Sequence, residues 1–303
     1  PEAEIMKSRS LSGSAYIDFP VDQTAIYPDY RRNTVELGKI QATIDSVRND
    51  KDVSITSVWL KGFASPESPY KHNTELAIGR TAALKKHIGQ LYHFADSIIR
   101  TDYEPEDWAG LRRQVEQSNI NHRGEILALI DSDMEPDAKE AKIKRTYPEE
   151  YRFMLQHFYP ALRHTDYRID YAIRTFSEVE EIKRIMAEQP QKLSQNEFYL
   201  VAGKYEPGTD EFTDVFETAV RMFPNDEIAN LNAANAAIRR DDFETAHRYL
   251  DKAGDSAEAV YARGALAIRK KDYNTARRYL SKAKEMGFEK AGRTLDELNE
   301  RLQ

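Results

Sequence analysis

The sequence predicts a mixed α/β domain followed by an all-α array of paired helices. Three observations carry this. Val53–Leu60 (VSITSVWL) and Asp166–Phe176 (DYRIDYAIRTF) have the period-2 texture of strands, with Tyr167, Ile169, Tyr171 and Ile173 alternating against Arg168, Asp170, Ala172 and Arg174. Between and after them the apolar period becomes helical. Near the end, residues 228–253 (IANLNAANAAIRRDDFETAHRYLDKA) and 258–283 (EAVYARGALAIRKKDYNTARRYLSKA) repeat each other, and 276 − 246 and 283 − 253 both give a period of 30.

The first elements follow from local pattern. Residues 1–13 are polar and read as a loose leader. Ala15–Phe19 reads as a short strand with Ile17 and Phe19 on one face, ended by Pro20. Pro28 suits a helix start. Val35, Leu37, Ile40, Ile44 and Val47 then recur at helical spacing, up to a turn at 49–52. After the Val53–Leu60 strand comes Gly62–Arg80, GFASPESPYKHNTELAIGR. Its prolines mark a loop. Asn73 reads as the N-cap of a helix bearing Leu76, Arg80, Leu84 and Ile88. Gly79 inside that helix costs about 1 kcal/mol relative to alanine, so close packing or room for a ligand is expected there. Residues 97–103 form a third strand, and helices are expected at 108–115, 123–130 and 147–162 before the Asp166–Phe176 strand.

The Gly62–Arg80 stretch resembles the OmpA-like, peptidoglycan-associating domain, whose loop and helix read roughly G-[YF]-T-D-x-x-G-[ST]-x-x-x-N-x-x-L-[ST]-x-x-R-A. Gly62, Phe63, Asn73, Leu76 and Arg80 match in register. The resemblance covers about residues 14–176 and implies a βαβαβ sandwich with a mixed sheet, here carrying a helical insertion at 104–163. It also implies a site for the diaminopimelate of the wall peptide, with Arg80 holding a carboxylate through its planar fork. Where the family has the aspartate that holds the diaminopimelate ammonium, this chain has Ser65. Glu67 is the nearest acid that could replace it. The candidate ligand-binding residues are therefore Gly62, Phe63, Ser65, Glu67, Asn73 and Arg80.

Residues 177–303 form the second expected domain, and from about residue 190 onward they resemble tetratricopeptide (TPR) repeats. The pairs Ala234/Gly264, Ala246/Ala276 and Ala253/Ala283 keep small side chains where paired helices approach, and Phe243/Tyr273 and Tyr249/Tyr279 keep aromatics. A degenerate repeat is expected to precede them, with its second helix at 211–223, and 293–302 would cap the array. Such arrays imply a protein partner on a concave surface.

Composition narrows the function classes. The 303 residues are 40% hydrophobic and 31% charged with a net charge of −7, which fits a globular chain and gives no nucleic-acid footprint. There is no cysteine, hence no disulfide or thiolate metal site. No signal peptide or bilayer-spanning run is visible. The chain opens at Pro1 rather than Met, which leaves room for an upstream signal, anchor or domain. No catalytic motif such as G-x-S-x-G or H-E-x-x-H occurs, and no cofactor or metal is expected. Asp131, Asp133, Glu135 and Asp137 resemble the start of an EF-hand loop, but Pro136 and Lys142 stand where glycine and the bidentate glutamate are needed, so a solvated acidic turn is expected. The sequence reading is a non-enzymatic adaptor of a Gram-negative envelope, periplasmic or outer-membrane associated, that binds peptidoglycan and a protein partner. Its competitors are an assembly module that has lost wall binding and, third, a cell-wall enzyme.

Overall fold

The computed structural model describes residues 7–20 and 23–301. It divides into two compact units, Met6–Arg174 and Thr175–Gln303. The first unit is a four-stranded mixed sheet in the order β1-β4-β2-β3 with helices packed on it. β2 (Val53–Phe63) runs parallel to β3 (Ile99–Glu104), and β4 (Thr165–Ile173) lies between β1 (Lys7–Ala15) and β2, antiparallel to both. The interior place of β4 follows from its alternation. Tyr167, Ile169 and Ile173 are buried, and the first two join the core formed with Val58 and Leu60 of β2. α1 (Asn33–Arg48) adds Leu37, Ile40, Ile44 and Val47, and α2 (Tyr70–Tyr92) adds Leu84 and Ile88. Val35, on the expected apolar stripe, is 56% exposed.

The first strand is displaced from its expected place. Residues 7–13 belong to β1 rather than to a loose leader, and residues 1–6 of that leader lie outside the described residues. Ala15–Phe19 is not a strand beyond its first residue. Ile17 is buried and Phe19 packs against the core, as their alternation suggests. The backbone bonds, however, go to α1 side chains instead of a ladder. Tyr16 N–H donates to Glu36 Oε2 (3.0 Å), Asp18 N–H donates to Asn33 Oδ1 (2.7 Å), and Asn33 Nδ2 returns a bond to the Asp18 carbonyl (2.8 Å). Polar groups satisfied by side chains need no strand partner. β1 itself, KSRSLSGSA, has one large apolar residue and so little β texture to read.

The 104–163 segment is helical with its own core. α3 (Trp108–Gln117), α4 (Arg123–Ile130), α5 (Pro136–Thr146), α6 (Pro148–His157) and α7 (Tyr159–Leu162) bury Leu111, Val115, Ile126, Ile143, Met154 and Tyr159 together. α5 replaces part of the expected acidic turn. Pro136 takes its first position, where a missing N–H costs nothing.

The second unit begins with α8 (Val179–Glu188) and α9 (Gln195–Ala202), the latter opened by a Ser194/Glu197 capping box. Helices α10 (Asp210–Met222), α11 (Glu227–Arg239), α12 (Phe243–Leu250), α13 (Ala257–Arg269), α14 (Tyr273–Glu285) and α15 (Glu289–Arg301) follow. The 30-residue period survives in the backbone. Asp242 and Asp272 cap α12 and α14 through Thr245 and Thr275 N–H, and Asp241 and Lys271 just before them have left-handed φ of 57° and 61°. Ala246 and Ala276 are both fully buried at equivalent helix contacts. Ala246→Leu and Ala276→Leu are each expected to overpack their crossing and cost about 1–3 kcal/mol, read as matched losses in denaturant melts. Parent-like stability in either would contradict the equivalence. Among the described residues no helix is long and apolar enough to cross a membrane.

Candidate functional site

The candidate site lies where β2 ends against the helical insertion. β2 continues through Gly62 and Phe63 into the ladder. Gly62 is required by contact. A Cβ there would lie 2.0 Å from Thr81 Oγ1 and 3.3 Å from the Ala77 carbonyl of α2, so the strand and helix touch through backbone. Phe63 stacks on His164, with ring centroids 4.3 Å apart, and Lys61 Nζ sits 5.1 Å from the same ring. The chain then leaves the sheet with its polar groups satisfied across the insertion. Ala64 N–H donates to the Glu104 carbonyl, and Asp107 N–H donates to the Ala64 carbonyl.

Ser65 is buried at 3% exposure, and its Oγ accepts from Arg163 Nε at 3.0 Å. The same guanidinium pairs with Glu67 at 2.7 Å. Arg163 follows α7 at the far end of the insertion, 98 residues from Ser65, so its role has no local sequence signal. The loop's only candidate acid is thus already engaged by a cation supplied from within the fold.

Asn73 does not cap α2. The helix opens three residues earlier, at Tyr70 after Pro69, and no side chain of its own caps it. The acceptor at its start is Asp137 of α5, whose Oδ1 takes the Tyr70 N–H at 2.8 Å from 67 residues away. A carboxylate there also complements the positive end of the helix dipole. Asp137 lies in the first turn of helix α5 rather than in a loop, and it stays exposed, as do Asp131, Asp133 and Glu135, while accepting this bond. Asn73 sits inside the first turn, 2% exposed, and its Nδ2 donates to the Ser68 carbonyl (2.7 Å) and Glu106 Oε1 (2.9 Å). Glu106 Oε2 accepts from Trp108 Nε1 at 2.7 Å. Burial raises the Glu106 carboxyl above its ordinary range. The Asn73 and Trp108 hydrogen bonds pull it back in part, while Asp137 and Glu140 push it further up. Sequence reasoning missed Glu106, Trp108 and Arg163 because each reaches the loop from the insertion.

Arg80 makes its contacts elsewhere. Its Nε donates to the Gln23 carbonyl at 3.3 Å, and its guanidinium carbon lies 5.0 Å from the Phe19 ring centroid. Neighbouring Gly79 is small because a Cβ would meet Thr24 Cγ2 at 2.6 Å, so the first loop, not the sheet, packs on that helix face. Ser65, Glu67 and Asn73 are brought together with Arg163 and Glu106, whereas Arg80, two helical turns from Asn73, reaches the Gln23 carbonyl and the Phe19 ring.

Beyond Glu67 the loop borders an open cleft of about 680 Å³ lined by Glu67, Ser68, Lys144, Tyr151, Arg152 and Leu155. The Tyr151 hydroxyl donates to the Glu140 carboxylate, and burial raises the Glu140 carboxyl. Among the described residues no group of three or more histidine, aspartate or glutamate side chains is arranged to hold a metal ion. Compared with protein-family models and with curated proteins, the chain matches none.

Proposed function

We propose that the chain is a non-enzymatic scaffold of the Gram-negative envelope, periplasmic or outer-membrane associated. Its OmpA-like α/β unit serves assembly rather than wall anchoring, and its TPR-like unit binds a protein partner. The observation that carries this reading is the Arg163 guanidinium bridging Ser65 and Glu67. In OmpA-like domains an aspartate at the Ser65 position holds the ammonium of diaminopimelate. Here that position carries a neutral hydroxyl, and the nearest acid faces an internal guanidinium. A ligand ammonium arriving there meets a like charge and must displace a charge-assisted pair. Arg80, the carboxylate-binding half of the motif, contacts the Gln23 carbonyl and the Phe19 ring.

Co-sedimentation with purified peptidoglycan tests the reading. The full chain is expected to stay in the supernatant at physiological salt. Retention in the pellet, competed by free diaminopimelate, would return the chain to the wall-anchoring reading.

A further inference from the structure

The two edges of the sheet differ in how they are protected against pairing. β3 is short, six residues, and carries Arg100, Asp102 and Glu104. Charges spread along a short strand are one way an edge is kept from adding another, whereas the two charges of β1, Lys7 and Arg9, both lie in its first three residues. β1 is nine residues long and pairs with β4 in one unbroken register from Lys7↔Ile173 to Ala15↔Thr165. It has no proline and no bulge, and among the described residues its second edge has no strand partner. Leu11 at its centre stays 39% exposed, although it pairs with fully buried Ile169 and so faces the helix-covered side of the sheet. The apolar face therefore extends past its cover at this edge.

The strand is also close to a palindrome. Reading outward from Leu11, serine occupies Ser10 and Ser12, then Ser8 and Ser14, on one face. On the other face Arg9 is matched by Gly13 and Lys7 by Ala15. We propose that β1 pairs antiparallel with β1 of a second copy about a two-fold axis at Leu11, joining two four-stranded sheets into one. In that register Leu11 meets its own counterpart and buries the uncovered apolar surface. Ser10 faces Ser12 and Ser8 faces Ser14, and both pairs can share hydroxyl hydrogen bonds. Arg9 faces Gly13, so no like charges oppose there, and Lys7 and Ala15 at the strand's ends are already buried and lie outside the paired stretch. An isologous interface requires such self-complementarity, and the sequence of β1 supplies it on both faces. A shift of register by two residues would set Leu11 against Arg9 or Gly13 and leave the two leucines unpaired, so the symmetric alignment is the favoured one.

Because the chain has no cysteine, single-cysteine variants report the register directly. In the full chain, Leu11→Cys places two thiols across the axis, with Cβ atoms roughly 4.5–5.5 Å apart. Ser8→Cys places them about 20 Å apart along the paired strands. Both sites are exposed, and circular dichroism checks that both variants keep the parent fold. Mild oxidation, or a short bis-maleimide linker, is expected to convert Leu11→Cys to a covalent dimer at least tenfold faster than Ser8→Cys. Equal rates, faster linkage through Ser8→Cys, or no linkage in either would overturn the proposal.

Discussion

Gly62→Val is expected to cost the sheet unit about 1–3 kcal/mol, towards the top of what overpacking produces. The reason is the distance on both sides of the crossing. The new Cβ falls 2.0 Å from Thr81 Oγ1, and Thr81 is itself tied back to the Ala77 carbonyl at 2.7 Å and only 2% exposed. A β-branched threonine inside a helix has few rotamers to escape into. β2 cannot retreat either, because it is hydrogen-bonded to β3 on one side and β4 on the other. Thr81→Ala should recover part of the loss when combined with Gly62→Val, since it removes the nearest atom. Chemical denaturation of the two single variants and the double variant measures this as a coupling. Additive losses would show that the tight contact is not what makes Gly62 necessary.

Asn73→Ala should cost about 1–3 kcal/mol at neutral pH, and less in acid. The amide is buried and donates both to the Ser68 carbonyl and to a buried carboxylate. Its bond to Glu106 favours the charged form, while burial favours the neutral one, and burial dominates, so the folded pKa lies above 4.5. A carboxyl raised in the folded state contributes stability fully below its unfolded pKa and loses it as pH rises through the folded value. Removing Asn73 raises the carboxyl further and steepens that loss. The penalty of the variant should therefore grow as pH climbs above 4.5. Denaturant melts of parent and variant across that range check it. A penalty independent of pH would place the cost in the Ser68 bond alone.

These two residues show what the sequence made legible. The resemblance of Gly62–Arg80 to the OmpA-like loop and helix points to Gly62, Phe63 and Asn73, of which Gly62 lies where β2 meets α2, Phe63 stacks on His164 and Asn73 bonds Ser68 and Glu106. Periodicity also located β4, because strict alternation in Tyr167–Ile173 is dictated by one buried face. β1 escaped because a serine-rich strand gains its place from the ladder with β4, not from its own side chains. Asn73 was read as a cap because the N-cap preference is a local rule, whereas the acceptor at the start of α2 is Asp137. Arg163 was invisible for the same reason. Its partners Ser65 and Glu67 lie at separations of 98 and 96 residues, and no helix or strand period spans such a gap. The repeats were the most legible part, since neighbouring helix pairs contact each other and the caps recur with the period.

The central claim is that the loop after β2 holds an internal cation in place of a ligand ammonium. Isothermal calorimetry with diaminopimelate tests it most directly, run on the parent and on the double variant Ser65→Asp/Arg163→Ala. The parent should give no binding heat, because Arg163 engages both Ser65 and Glu67. The double variant removes that cation, frees Glu67 and adds a second carboxylate, and it should bind measurably. Tight binding by the parent, left unchanged by the double substitution, would contradict the account.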